Sequence, residues 1–207
     1  HILEAYTNLF RIWKTEETEK QLRHLIRLFL DKIASHETFH FHLFFDADWT
    51  VRSEINSYGH DIEGSWLLCE AAEVLGDKEL LEEVEHVALK MAEVTRAEGF
   101  AEHGGLYYEK EGDHLMEQFD WWRQTESVVG FFNSFQLTKN EEHLRLAIRS
   151  WDFIQKYIID IKNGEWFWGV TKNLEPVPND KVNGRKAPYH NGRMCMEMMR
   201  RIENQLH

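Results

Sequence analysis

Histidine and carboxylate recur together at the starts of the most apolar stretches of this chain, a pairing suited to proton transfer. In Ser57-Tyr-Gly-His-Asp-Ile-Glu-Gly-Ser-Trp-Leu-Leu68 an imidazole and a carboxylate stand three residues apart, and on a helix such residues share a face. Glu63 would then hold His60 in one tautomer and raise its basicity, as a proton-abstracting histidine requires. Taken singly, the pattern would also describe a surface hydrogen bond, so its recurrence carries the information. His1-Ile-Leu-Glu4 has the same form. Trp121-Trp-Arg-Gln-Thr-Glu126 keeps the glutamate and puts Arg123 in the histidine slot, and Tyr189-His-Asn-Gly-Arg193 keeps the histidine as His190 and puts arginine in the glutamate slot.

Four similar helix starts, roughly sixty residues apart, define a repeat architecture. Each unit reads as helix, helix and short β loop. The first pairs a helix over 1–14 with one over 16–34, the latter carrying Leu22, Leu25, Ile26, Phe29, Leu30 and Ile33 at three-and-four spacing. Residues 39–45 alternate at period two and read as a strand, with His40 and His42 on its solvated face. The second unit is a helix over 58–75 stopped by Gly76 and a helix over 78–98 stopped by Gly99. A hairpin follows, over 104–108 with Gly112. The third comprises helices over 119–138 and 141–159 and a strand over 165–168. Pro176 and Pro178 mark a loop before a last helix over 189–204. One helix of each pair is almost wholly apolar and the other carries the charge, so an inner set sits within an outer set. Such repeats close into an α/α barrel or stay open as a solenoid, with the inner-helix starts ringing one mouth.

These segments carry a resemblance. Tyr58-Gly-His-Asp-Ile-Glu63 with Trp66, Trp121-Trp122 with Glu126, and Ala187-Pro-Tyr-His-Asn-Gly-Arg193 resemble, in order, signature segments of the N-acylglucosamine 2-epimerase family, in its cellobiose-epimerising branch. His1-Ile-Leu-Glu-Ala-Tyr6 resembles the end of another. The resemblance covers the whole chain and implies an all-α (α/α)6 barrel, of which residues 1–207 form one catalytic domain supplying about the second half of the helical hairpins. It implies an isomerase that inverts C2 of a reducing-end glucose or mannose residue through a cis-enediolate, without cofactor. His60 and His190 would exchange the C2 proton, and His190 would also assist ring opening. His1 would stabilise the enediolate, and Glu126 would support the site or bind a hydroxyl. Trp122 and Trp66 match tryptophans the family needs, although Trp66 reads equally well as packing for the inner helix. Arg185 stands where the cellobiose branch has a tryptophan platform; a guanidinium is not equivalent to an indole, so mannose and N-acylated sugars stay open beside a β-1,4 disaccharide.

Other chemistries weigh less in this sequence. A metal could use the mouth histidines and glutamates, but no His-Glu-x-x-His or thiolate cluster occurs, and none is expected. A glycoside hydrolase needs two carboxylates free to flank the bond, whereas these are spaced to pair with histidine. A non-catalytic helical scaffold would not gather histidines and tryptophans at one mouth. The formal charge of -12 argues against nucleic acid and anionic membranes as partners, and no phosphate-cradling glycine motif asks for a nucleotide. Cys69 and Cys195 lie within helices without a pairing pattern, which fits a reducing, cytoplasmic setting, and a monomer or weak dimer is expected. The methionines at 194, 196, 198 and 199 read as core packing. Three hairpins of the barrel would precede His1, taking part of the site with them. Residues 1–207 alone are therefore expected to be inactive, and an assay of this segment with reducing sugars checks that.

Overall fold

Seven α-helices and five short strands make up the computed structural model, which describes residues 1–205. The helices run α1 (Ile2–Ile12), α2 (Glu16–Leu28), α3 (Tyr58–Leu75), α4 (Lys78–Val94), α5 (Trp121–Thr138), α6 (Glu141–Phe153) and α7 (Tyr189–Glu203). Consecutive pairs form antiparallel hairpins, and α1, α3, α5 and α7 pack side by side as an inner row with α2, α4 and α6 behind it.

Local sequence fixes the ends. Thr15 and Thr18 cap each other's backbone at the start of α2, Asp77 accepts from the Leu80 amide at the start of α4, and Asn140 accepts from Glu142 at the start of α6. Gly76, at φ 81°, closes α3 in the left-handed conformation that glycine adopts without penalty. The inner helices α3 and α5 are buried on nearly every side, as their lack of an apolar stripe requires, and the outer helices bury one face only. Each outer helix ends in one π-helical turn, at Phe29–Ile33, Thr95–Gly99 and Ile154–Ile158, followed by an isolated antiparallel bridge, Ala34 with Phe41, Phe100 with Leu106 and Ile159 with Trp166. That shared ending turns each connecting loop back toward the inner-helix starts.

Several local expectations shift. Residues 39–45 are not a strand: Phe41 and Phe45 make single bridges, and Phe39 turns at φ 59°. His40 is 3% exposed rather than solvated, because Asp61 of α3 accepts from its Nδ1 at 2.7 Å and from the Phe41 amide at 2.8 Å. The hairpin falls at β2 (Glu109–Glu111) and β3 (His114–Met116), with β1 (Ile55–Asn56) along its edge. The strand expected over 165–168 is displaced to β5 (Gly169–Val170), paired with β4 (Phe119–Asp120), which takes the first residues assigned to the third inner helix. Met194 packs in the core, but Met196 and Met199 are 68% and 63% exposed, so the methionine helix is only partly a core element. Met194, Met198 and Met199 line a cavity of about 610 Å³ between α5, α6 and α7. Cys69 is buried, and burial pushes its thiol up to about 12; Cys195 is exposed. No helix among the described residues is long and apolar enough to cross a membrane.

The inner row is close-packed where α3 meets α5. A Cβ on Gly130 would stand 2.5 Å from Cγ1 of Ile62 and 2.8 Å from its carbonyl oxygen. On an exposed helix Gly→Ala would stabilise by about 1 kcal/mol. Here Gly130→Ala is expected to destabilise by about 1–3 kcal/mol through overpacking, measured by urea unfolding.

Candidate active site

The polar starts of the four inner helices meet at one place. Arg193, near the start of α7, lies at its centre: Nη1 donates to Glu4 of α1, and Nη2 to Glu63 of α3 and, at 2.8 Å, to Glu126 Oε1 of α5. Tyr189 donates its hydroxyl to Glu4 at 2.5 Å and accepts from Arg193 at 2.8 Å. The guanidinium carbon lies 5.0 Å from the Trp66 ring centroid and 4.7 Å from that of Tyr189. Burial opposes the charge on Arg193, but Glu126 and Glu63 outweigh it and hold its pKa above the usual arginine value.

Three carboxylates around one guanidinium leave excess negative charge. Burial, reinforced by Glu126, pushes Glu63 up to about 7. Glu126 is also the acceptor for two other groups: Trp66 Nε1 donates to its Oε2 at 3.0 Å, and His190 Nδ1 lies 2.8 Å from its Oε1. A carboxylate on Nδ1 fixes the imidazole's orientation and directs its proton to that side.

His60 has a different support. Its Nδ1 is 2.7 Å from the Ser57 hydroxyl, not paired with Glu63, which Arg193 draws away. The expected His60–Glu63 pair is therefore corrected. Two residues one helical turn apart share a face, yet a guanidinium from the neighbouring helix binds a carboxylate more strongly than a neutral imidazole does. Burial first, and then the positive fields of Arg123 and His190, lower His60 to about 4, so the ring is neutral at pH 7.

The two histidines stand at the Trp122 indole, with ring centroids 4.9 Å away for His60 and 5.2 Å for His190. They line a cleft of about 790 Å³ with Glu63, Trp122 and Glu109, rimmed by Phe44, Phe45 and Trp49. His1 lies at the cleft's edge, exposed, with Nδ1 2.9 Å from Glu4 and its ring edge-on to Tyr189 at 5.7 Å. Arg185 lines an adjoining pocket of about 240 Å³ with Tyr108, Trp121, Trp122, Trp168 and His190. Trp66 is 1% exposed, which gives it a supporting place behind Glu126 and no ring face toward the cleft. Arg193, Tyr189, Ser57 and Glu109 belong to the constellation and were not singled out from sequence. Arg193 and Tyr189 stood within a quoted motif, Arg193 in the glutamate slot, so the repeat register held a signal for it.

Chemically, the cleft offers two imidazoles at one aromatic ring and a positive group behind them. Both central carboxylates are tied to Arg193, an arrangement unlike a pair of carboxyls free to act as acid and nucleophile. Glu63, Glu126 and His190 offer ligand atoms within 4.8 Å of one another, but that donor set already surrounds the guanidinium.

Comparison with known proteins agrees with this layout. The hairpin row with its polar mouth defines part of an (α/α)6 barrel. A solved structure of cellobiose 2-epimerase from Bacillus thermoamylovorans superposes with a TM-score of 0.94 at 35% identity, covering 97% of this chain and 52% of that one. Residues 1–193 match the N-acylglucosamine 2-epimerase (GlcNAc 2-epimerase) family, and the chain belongs to it. It is 46% identical over 202 residues to the cellobiose 2-epimerase of Bacteroides fragilis, covering 96% of this chain and 51% of that protein. It is 40% identical over 203 residues to the cellobiose 2-epimerase of Dictyoglomus turgidum, covering 98% and 52%. The chain thus spans about half the length of the curated relatives it matches.

The raised pKa of Glu63 sets a pH signature. A carboxyl whose folded pKa lies near 7, above its unfolded value of 4.5, contributes stability present below pH 4.5 and lost as pH rises through 7. Glu63→Gln keeps the neutral form at every pH. Its stability relative to the parent, from urea unfolding of the full-length protein, is expected to be more favourable at pH 8 than at pH 5.

Proposed function

We propose that the full-length protein is a carbohydrate 2-epimerase acting on a reducing-end glucose or mannose residue, with cellobiose or a related β-1,4 disaccharide as its substrate. The observation that carries the reading is the placement of two differently supported imidazoles, His60 and His190, at the Trp122 indole in one cleft. The relatives named cellobiose 2-epimerase support the reaction class.

The reaction begins with opening of the pyranose to the aldehyde. One histidine takes the C2 proton; the C2–H electron pair moves into the C1–C2 bond, and the C1 carbonyl becomes an enediolate oxygen. The second histidine returns a proton to the opposite face of C2 and the carbonyl re-forms. The two imidazoles end in exchanged protonation states, which solvent resets. His60, neutral at pH 7, suits the accepting role. His190 is oriented by Glu126 on Nδ1, which leaves Nε2 as its site of proton exchange. His1 stands at the cleft edge where it can hydrogen-bond the developing oxyanion. Trp122 offers an apolar face to the sugar ring, and Arg185 in its side pocket is placed to meet hydroxyls of a second sugar ring.

Incubation of the full-length protein with cellobiose in D2O, followed by NMR, is expected to show deuterium at C2 together with the epimer. His60→Asn and His190→Asn are each expected to lower epimerisation by about 10²–10⁴-fold. Faster turnover of mannose than of cellobiose would reassign the substrate, and absence of C2 exchange with cellobiose, mannose and N-acetylglucosamine would overturn the reaction.

A further inference from the structure

A buried serine, outside the two-histidine chemistry, is the next link behind His60. Ser57 precedes α3, and its hydroxyl donates to Glu109 Oε1 at 3.2 Å. The Nδ1 of His60 lies 2.7 Å from the same hydroxyl oxygen. Strand pairing makes the meeting possible: Asn56 of β1 is opposite Lys110 of β2, which puts Ser57 beside Glu109. Glu109 is itself held, since Arg123 Nη2 donates to its Oε1 at 2.9 Å while the guanidinium carbon sits 3.6 Å from the Tyr108 ring centroid. Arg123 also binds the buried Asp120 through Nη1.

A hydroxyl has one hydrogen. A carboxylate can only accept, whereas an imidazole can donate from Nδ1. When the Ser57 hydrogen is given to Glu109, the serine oxygen can only accept from His60, so the imidazole proton must be on Nδ1. We infer that Arg123, Glu109 and Ser57 form a hydrogen-bond relay that locks neutral His60 in the Nδ1–H tautomer and leaves Nε2 as the proton-accepting nitrogen. Ser57 and Glu109 are thereby positioning residues for one of the two bases, an assignment that rests on the epimerase reading for its purpose but not for its geometry. A histidine side chain free in water favours the opposite tautomer, with the proton on Nε2; the nitrogen that carries the proton in a protein is set by the partner of the other. Burial and the fields of Arg123 and His190 keep His60 uncharged at pH 7, so the tautomer is what remains to be controlled.

The full-length protein labelled with 15N-histidine, observed at pH 7 by two-bond 1H–15N correlation, reads the tautomer directly, with His60 assigned by its loss in His60→Asn. The expected result is Nδ1–H in the parent and in Glu109→Gln, which retains an acceptor oxygen, and a shift toward Nε2–H in Ser57→Ala and Glu109→Ala. Nε2–H in the parent, or Nδ1–H unchanged in both Ser57→Ala and Glu109→Ala, would overturn the relay. The kinetic counterpart is one-sided. Ser57→Ala is expected to slow C2 exchange of the epimer that His60 serves by on the order of 10–100-fold, the loss seen when the partner orienting a metal-bound histidine is removed, while exchange of the other epimer persists. Equal loss for both epimers would mark a merely structural serine and overturn the positioning role. A parent protein with Nδ1–H at His60 but no C2 exchange would support the relay and remove the epimerase reading, so the two fail separately.

Discussion

One guanidinium holds the mouth of this helical row together. Arg193 binds Glu4, Glu63 and Glu126, each from near the start of a different inner helix. Charges withdrawn this far from water are costly unless paired, so α1, α3, α5 and α7 satisfy one another at their starts as well as along their apolar flanks. The orientation of His190 through Glu126, of Tyr189 through Glu4 and of Trp66 against Glu126 all follow from that one placement. Its four members are the equivalent positions of four repeats, and three repeats of one charge sign tolerate each other because the fourth carries the other.

The two histidines are held by unlike means, and the difference bears on their chemistry. Glu126 puts a negative charge directly on His190, whereas His60 meets a neutral hydroxyl and feels the positive fields of Arg123 and His190. Burial and those fields oppose the imidazolium at His60, while the carboxylate at His190 fixes the orientation of its ring.

Much of this was legible in the sequence, because the helices announce their own limits. The bounds of α3, Tyr58 to Leu75, follow from the polar start and from Gly76, and the repeat register placed Glu4, Glu63, Glu126 and Arg193 in one slot. Pairing across helices was not legible. Helical spacing puts His60 and Glu63 on one face, but the partner of each comes from another element, Ser57 behind one and Arg193 beside the other. The β loops were also misplaced by a few residues. Alternation over 39–45 arises from folding back onto α3, where Asp61 buries His40, and not from a sheet. Met196 and Met199 look like core from composition alone, yet both are exposed, and Met199 lines the groove between α5, α6 and α7.

The π-helical turn that ends each outer helix has a consequence for how such a protein diversifies. The Ala34 amide reaches back to the Phe29 carbonyl at 2.8 Å and the Ile159 amide to Ile154 at 3.0 Å, and in both places a single bridge then fastens the departing chain. The segments that follow, 35–54, 101–118 and 160–168, differ in length and in sequence, while their points of attachment are alike. A connection anchored this way is a standard socket: its exposed contents can lengthen or shorten without disturbing the inner helices, provided that residues reaching back to the helix starts, such as Glu109, are kept. Changes in what the cleft accepts could therefore act on the exposed rims, leaving the inner-helix starts as inherited.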